Sequence, residues 1–331
     1  MFFSLRLNFT FIAYIGKLSF ETKTNVMIKN LAFKGGGVKS IAYVGALHEL
    51  QAEGILQKIE RVSGTSAGAL LAGMLCAGYN VDGIEKLMRE LDFRKFEKGF
   101  NPFRILSRYG LHSGDYILEF IHAFLNNSPM KFNPNVTFSQ MAQAGCKKLY
   151  VFACNLNKHT VEEFSADLTP HAIVAEAIRA SMSIPIFFKA WQFSNGIPDK
   201  DIYVDGGVVY NYPLSFFDDK RFNTHIDVNY DTIGLYLFSN TKTKFSKPET
   251  RKHEFRFNKP VHYTKHLFEA LLDAQEFIVN EDKEQVDRSI MIDDLGFPAT
   301  DFDLKDDDKN HLLASGRQGA RDFIQKNAKA S

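Results

Sequence analysis

From residue 28 onward the apolar positions of this chain fall into short continuous runs separated by longer stretches with helical spacing. The run Asn30-Leu31-Ala32-Phe33 and the run from about Lys58 to Ser63 have the length and density of buried strands. Each ends in a glycine turn and passes into a helical stretch, about Val38 to Ala52 after the first and Ala67 to Ala77 after the second. The second stretch is almost wholly small or apolar, which predicts a helix buried on most sides. A further helix is expected over about Val81 to Leu91. Another follows Gly114-Asp115, where Ile117, Leu118, Phe120, Ile121 and Phe124 recur at helical spacing. Lys148 to Asn155, Thr160 to Phe164 and Ile233 to Phe238 read as strands, and Trp191 to Phe193 and Ile202 to Val204 as apolar runs leading to Asp205. Between them, Ile173, Val174, Ala177 and Ile178 mark a helix with Thr169 as its expected cap and Pro170 in its first position. A long helical pattern runs through Leu267, Leu271, Leu272 and Phe277, and Asp306 to Asp308 open a last helix, where carboxylates favour the N-terminus.

Strand, turn and helix in repetition predict an α/β fold, a mostly parallel central sheet sandwiched by helices. Ligands of such sheets collect outside the carboxyl ends of the strands. Two of the turns at those ends carry chemistry. Gly64-x-Ser66-x-Gly68 has the spacing of a nucleophile elbow, whose glycines leave room for a sharp strand-to-helix turn that lifts the serine hydroxyl clear of the backbone. Alone, this pattern fits a bland small-residue turn equally well. Upstream, Gly35, Gly36 and Gly37 expose backbone N–H groups at a helix start, a means of holding an anion or a developing oxyanion. Downstream, Asp205 ends an apolar run and is followed by Gly206 and Gly207.

Together these three stretches resemble the patatin-like phospholipases, which combine an oxyanion glycine run, a Gly-x-Ser-x-Gly elbow some thirty residues later and a distant Asp-Gly-Gly. Ala180-Ser181-Met182-Ser183-Ile184-Pro185, Asn211-Tyr212-Pro213 and Thr300-Asp301-Phe302-Asp303-Leu304 are similar to that family's text as well, so the likeness spans roughly Ile28 to Ile324. Ser40 stands where the family usually has glycine. The resemblance implies a patatin-like three-layer fold over residues 27–331 and a lipid acyl hydrolase of the phospholipase A or lysophospholipase type. Its dyad would be Ser66 and Asp205, with the oxyanion held by N–H groups of Gly35 to Gly37 and of Ala67. Lys39 would make a structural or headgroup contact. Neither cofactor nor metal is implied. The implied partner is a phospholipid or other acyl lipid at a membrane surface, and an activating protein partner is left open.

Three rivals define what would change this reading. A Ser-Asp-His triad of the α/β-hydrolase kind would take His225, His262 or His266 as base, but Ser66 stands only 29 positions after Gly37, a short interval for that fold's oxyanion loop. A nucleotide-binding P-loop would need glycine at positions 33 and 38, where Phe33 and Val38 stand. A catalytically silent lipid-binding protein has no chemical need for Ser66, Asp205 and the glycine turn together.

Composition adds little to the picture. The 331 residues suffice for a substantial core, and a net charge of +1 gives no electrostatic reason to expect nucleic acid. Thirty-one phenylalanines against one tryptophan reflect either codon bias, the preferred reading, or a greasy lipid-facing surface. Cys76, Cys146 and Cys154 are too few and too odd in number for a disulfide framework, and are expected as reduced buried thiols. Residues 1–26 are apolar but broken by Arg6, Asn8 and Lys17, and are expected to form a poorly ordered extension. Asp92 to Ser113 mixes Lys95, Lys98, Arg104 and Arg108 with Phe100 and Phe103, suiting a solvated cap or, as the minority reading, an anionic lipid surface. The acidic group Asp301 to Asp308 lacks the spacing of a calcium loop. A cytoplasmic or peripheral membrane location fits, and secretion to a host cell is not readable from the chain.

Overall fold

The computed structural model describes residues 27–223, 227–240 and 260–328. The expected extension over residues 1–26 and the candidate base His225 lie outside them, as does most of the polar connection between 239 and 252.

The strands are β1 (Asn30–Phe33), β2 (Arg61–Thr65), β3 (Gly110–His112), β4 (Lys148–Asn155), β5 (Thr160–Phe164), β6 (Ile186–Phe188), β7 (Tyr203–Asp205), β8 (Thr232–Phe238) and β9 (Ser289–Asp293). Seven of them form one sheet in the order β5-β4-β2-β1-β8-β9, with β7 also paired to β4. The pairs β1–β2, β1–β8, β2–β4 and β8–β9 are parallel, while β5 and β7 run antiparallel to β4. The mostly parallel α/β architecture read from the sequence is thus the one observed. β3 and β6 form a small separate parallel pair.

The helices that matter for the site are α1 (Ala42–Ala52), α2 (Ala67–Cys76), α3 (Val81–Glu90), α4 (Asp115–Asn126), α5 (Val174–Ser181), α6 (Pro260–Glu281) and α7 (Asp306–Ala328). Every residue of α2 is buried. This accounts for its composition: the first turn lies so close to β1 that a Cβ on Gly68 would stand 2.6 Å from the Phe33 carbonyl oxygen. The expected helix from Val38 begins instead as a 3-10 turn, Gly37–Ile41, before α1. The expected cap at Thr169 is not made. Thr169 closes a turn with Ser165, donating to its carbonyl and accepting its N–H, and α5 starts only at Val174. Trp191 joins the structure through an isolated bridge to Tyr203 rather than as part of a strand. The three cysteines are free; Cys76 and Cys154 are buried, whereas Cys146 is only half-buried. No helix among the described residues is long and apolar enough to cross a membrane.

One detail of register fixes the site. β2 pairs with the first part of β4, ending at Thr65 opposite Phe152, and β7 continues along β4 with Asp205 opposite Ala153. The residue after Thr65 and the last residue of β7 therefore meet across consecutive positions of one strand.

Candidate active site

Ser66 occupies the turn between β2 and α2 with φ 56° and ψ −129°. Such backbone in a residue with a Cβ is strained by about 1–3 kcal/mol and persists only where the surroundings impose it. Here the surroundings are Gly64 and Gly68: a Cβ on Gly64 would lie 2.4 Å from the Gly68 carbonyl oxygen, so the turn closes only with glycine at that position. The Ser66 N–H is also pinned, donating 2.8 Å to Ser181 Oγ, which itself donates to the Phe152 carbonyl. Held this way, the Ser66 hydroxyl donates 2.7 Å to Asp205 Oδ2.

Asp205 is fully buried, and its other carboxylate oxygen accepts the Gly207 N–H at 2.7 Å. A Cβ on Gly206 would stand 2.4 Å from the Phe152 carbonyl oxygen, so the two glycines after the aspartate let the chain turn back tightly against β4. Burial pushes the Asp205 carboxyl up to about 7, against the lowering pull of the Ser66 and Gly207 hydrogen bonds and the charge of Arg179. The Asp205 carboxylate makes no hydrogen bond to a histidine among the described residues. A hydroxyl donating to a carboxylate of near-neutral proton affinity is a pair able to exchange a proton around pH 7.

The comparisons with known proteins identify the family of the chain. The family model described as patatin-like phospholipase matches residues 31–218, which include the glycine turn, the elbow and the aspartate. Uncharacterized protein R571 of Acanthamoeba polyphaga mimivirus is 30% identical over 305 residues, covering 90% of this chain and 94% of that protein. Uncharacterized protein YqhO of Bacillus subtilis is 29% identical over 309 residues, 88% of this chain and 97% of its own. The chain belongs to the patatin-like phospholipase family. Its fold is similar to that of VipD from Legionella pneumophila, with a TM-score of 0.59 at 18% identity over 91% of this chain and 67% of that one. Membership in the family supports lipid hydrolase function.

Within this family frame, the remaining sequence-predicted residues separate. Gly35 is strapped to the loop after the aspartate: its N–H donates to the Asn211 carbonyl at 2.9 Å and its carbonyl accepts from Asn211 Nδ2 at 3.2 Å. The expectation that all three glycines offer free donors is therefore corrected, since the Gly35 N–H is already engaged. Among the described residues, the N–H groups of Gly36, Gly37 and Ala67 have no acceptor. Gly37 has φ 56° and sits against Ala299, whose carbonyl oxygen would lie 2.0 Å from an added Cβ. Lys39 is buried and ion-paired with Asp294, so its charge braces the turn against the segment after β9 and is not offered to a headgroup.

Several residues at the site escaped the sequence reading. Ser181 and Ser183 stood there only as part of the family-like stretch Ala180 to Pro185. Ser181 instead holds the Ser66 N–H, and the Ser183 carbonyl accepts the Asp205 N–H at 2.8 Å. Arg179 is fully buried; burial lowers its pKa to about 10, which leaves it charged at neutral pH. Its guanidinium donates to Ser183 Oγ and to the carbonyls of Ser113 and Gly114. Gln275 of α6 links Asn211 to the aspartate loop, accepting the Asn211 N–H and donating to the Gly207 carbonyl. The family-like text around Ser181 and Asn211 was the available signal, but it carried no role.

Among the described residues, Glu162, Asp199 and Asp201 stand close enough to share an ion. The Lys158 ammonium lies among them, 2.8, 2.9 and 3.2 Å from their oxygens, so a cation of the chain itself satisfies that cluster.

Proposed function

We propose that Ser66 and Asp205 form a catalytic dyad that hydrolyses carboxylic ester bonds of acyl lipids, as a phospholipase A or lysophospholipase, without a metal. The observation that carries this is the 2.7 Å hydrogen bond from Ser66 to a carboxylate whose proton affinity burial has raised to near neutrality. An ordinary carboxylate is a feeble base for a hydroxyl, whereas one titrating near 7 matches the working pH.

In the first half-reaction the Ser66 oxygen bonds to the ester carbonyl carbon as Asp205 takes its proton. The carbonyl oxygen becomes an oxyanion, for which the N–H groups of Gly36, Gly37 and Ala67 are the candidate donors, each worth ~10²- to 10³-fold in rate. As the carbonyl re-forms, the bond to the alkoxy oxygen breaks and Asp205 returns the proton to the departing alcohol. A water molecule, deprotonated by Asp205, then attacks the acyl-serine; the bond to the Ser66 oxygen breaks, Asp205 returns the proton to that oxygen, and the fatty acid is released. Having no imidazolium to protonate an amine, the dyad favours esters over amides.

The test is fatty-acid release from mixed phospholipid vesicles by the purified protein beside Ser66→Ala and Asp205→Asn, with and without a chelator. Both substitutions are expected to abolish release, and the chelator to change nothing. Retained activity in Asp205→Asn would overturn the dyad and require a histidine base.

A further inference from the structure

Between Lys98 and Ser113 the chain carries Lys98, Arg104 and Arg108 and no carboxylate, although the protein as a whole is nearly neutral at +1. The same stretch holds the two most exposed large apolar side chains of the described residues, Phe103 at 79% and Leu106 at 84%. They belong to the short helix Arg104–Arg108 and its leading residue, and no residue of that helix is buried. Phe103, Leu106 and Tyr109 follow one another at three-residue spacing, which brings them to one side of the helix. A helical turn with no fully buried residue that presents contiguous apolar side chains to solvent marks an interaction surface.

Its charge identifies the occupant. Arg108 and Lys98 are exposed and form no ion pair among the described residues, and Arg104 donates only to the carbonyls of Gly99 and Leu111. Cations around a protruding apolar turn match a bilayer with anionic headgroups, where the rings and aliphatic chains enter the interface and the cations meet phosphate. The turn is also connected to the catalytic candidates. It runs directly into β3, and Arg179 donates to the carbonyls of Ser113 and Gly114 just beyond β3 and to Ser183 Oγ, while the Ser183 carbonyl holds the Asp205 N–H.

We infer that the turn around Phe103 and Leu106, with Lys98 and Arg108, docks the protein on anionic lipid surfaces. This rests on the acyl-lipid reading of the Ser66 site and names the kind of surface on which that site works.

Sedimentation with vesicles tests it, using the full chain carrying Ser66→Ala so that the lipid is not consumed. One set of vesicles is phosphatidylcholine alone and the other contains phosphatidylglycerol. The parent is expected to prefer the phosphatidylglycerol vesicles. Phe103→Ser with Leu106→Ser should weaken binding at least about tenfold, and Lys98→Glu with Arg108→Glu should remove the preference for anionic lipid. With Ser66 intact, both pairs should hydrolyse a short-chain water-soluble ester within about twofold of the wild-type chain, which shows that the fold and dyad are intact. Unchanged vesicle binding by the Phe103/Leu106 pair overturns the inference. So does a dimer of the parent that this pair converts to monomer, since the patch would then be a contact between copies. Absence of soluble-ester hydrolysis in the wild-type chain would instead sink the dyad reading, and vesicle binding would still decide the surface on its own.

Discussion

Asp205 concentrates the argument at the scale of single residues. Its carboxyl is buried, raised to about 7, and held by Ser66 and Gly207. If it is the base, it works only when ionised. The rate constant kcat/KM for a soluble ester should then fall about tenfold per pH unit below an apparent pKa near 7 and level off above it. A pH profile flat down to pH 5 would remove Asp205 from the proton transfer. The same shift acts on stability with a definite sign. In the unfolded chain the group titrates near 3.9, so folding favours the protonated form. Stability from this group is complete below that value and is lost as pH rises through the folded value near 7. Asp205→Asn has no charge to bury and is expected to be inactive yet more stable than the parent. Its advantage in thermal or urea unfolding should grow between pH 5 and pH 8 by about 3 kcal/mol. An advantage independent of pH would mean that the carboxyl is not raised in the folded protein.

At the scale of elements, the elbow works because one helix and two strands leave space that only glycine fills. A methyl group on Gly68 would stand 2.6 and 2.8 Å from the carbonyl oxygens of Phe33 and Lys34, backbone atoms of the central strand and its turn that cannot swing aside. Gly68→Ala is therefore expected to lose about 3 kcal/mol of stability together with activity, read by urea unfolding, whereas a neutral outcome would show that α2 can slide away from β1. Glycines of this kind were legible in the sequence because their spacing is local. So were the parallel strands, whose apolar runs are continuous because both faces are covered. β3 and β6 were not legible. Each has three residues and no period to detect, and Arg179, which gathers the carbonyls of Ser113 and Gly114 after β3 and of Lys189 after β6, belongs to neither strand's pattern. The roles of Ser181 and Ser183 were hidden for the same reason: a serine at the end of a helix looks like a turn residue until β4 brings Ser66 and Asp205 beside it. Thr169 failed as a cap because Ser165, four residues earlier, offered its hydroxyl a nearer partner.

Across the whole molecule, the last third of the chain supports a site built almost entirely from the first two. The family match ends at residue 218, yet the glycine turn leans on residues well beyond that point. Val38 N–H donates to the Ala299 carbonyl, Gly37 lies against the same residue, and Lys39 is paired with Asp294. α7 closes on α1 at glycine contacts from both sides: a Cβ on Gly45 would meet the Leu313 carbonyl oxygen at 2.0 Å, and one on Gly316 the Ala42 carbonyl oxygen at 1.8 Å. Arg321 adds a paired contact to both carboxylate oxygens of Glu49, but its guanidinium is exposed to solvent and the pair contributes little beside the apolar burial of Leu312 and Leu313. α1 begins where the glycine turn ends, so removing α7 should loosen the candidate oxyanion donors as well as the core. A chain ending at Lys305 is expected to keep helical far-UV dichroism while losing its near-UV signal, binding a hydrophobic dye and losing ester hydrolysis. If that shortened chain unfolds cooperatively and still turns over a soluble ester, the glycine turn is held by β1, Asn211 and the elbow alone, and the bracing from the C-terminal segment is dispensable.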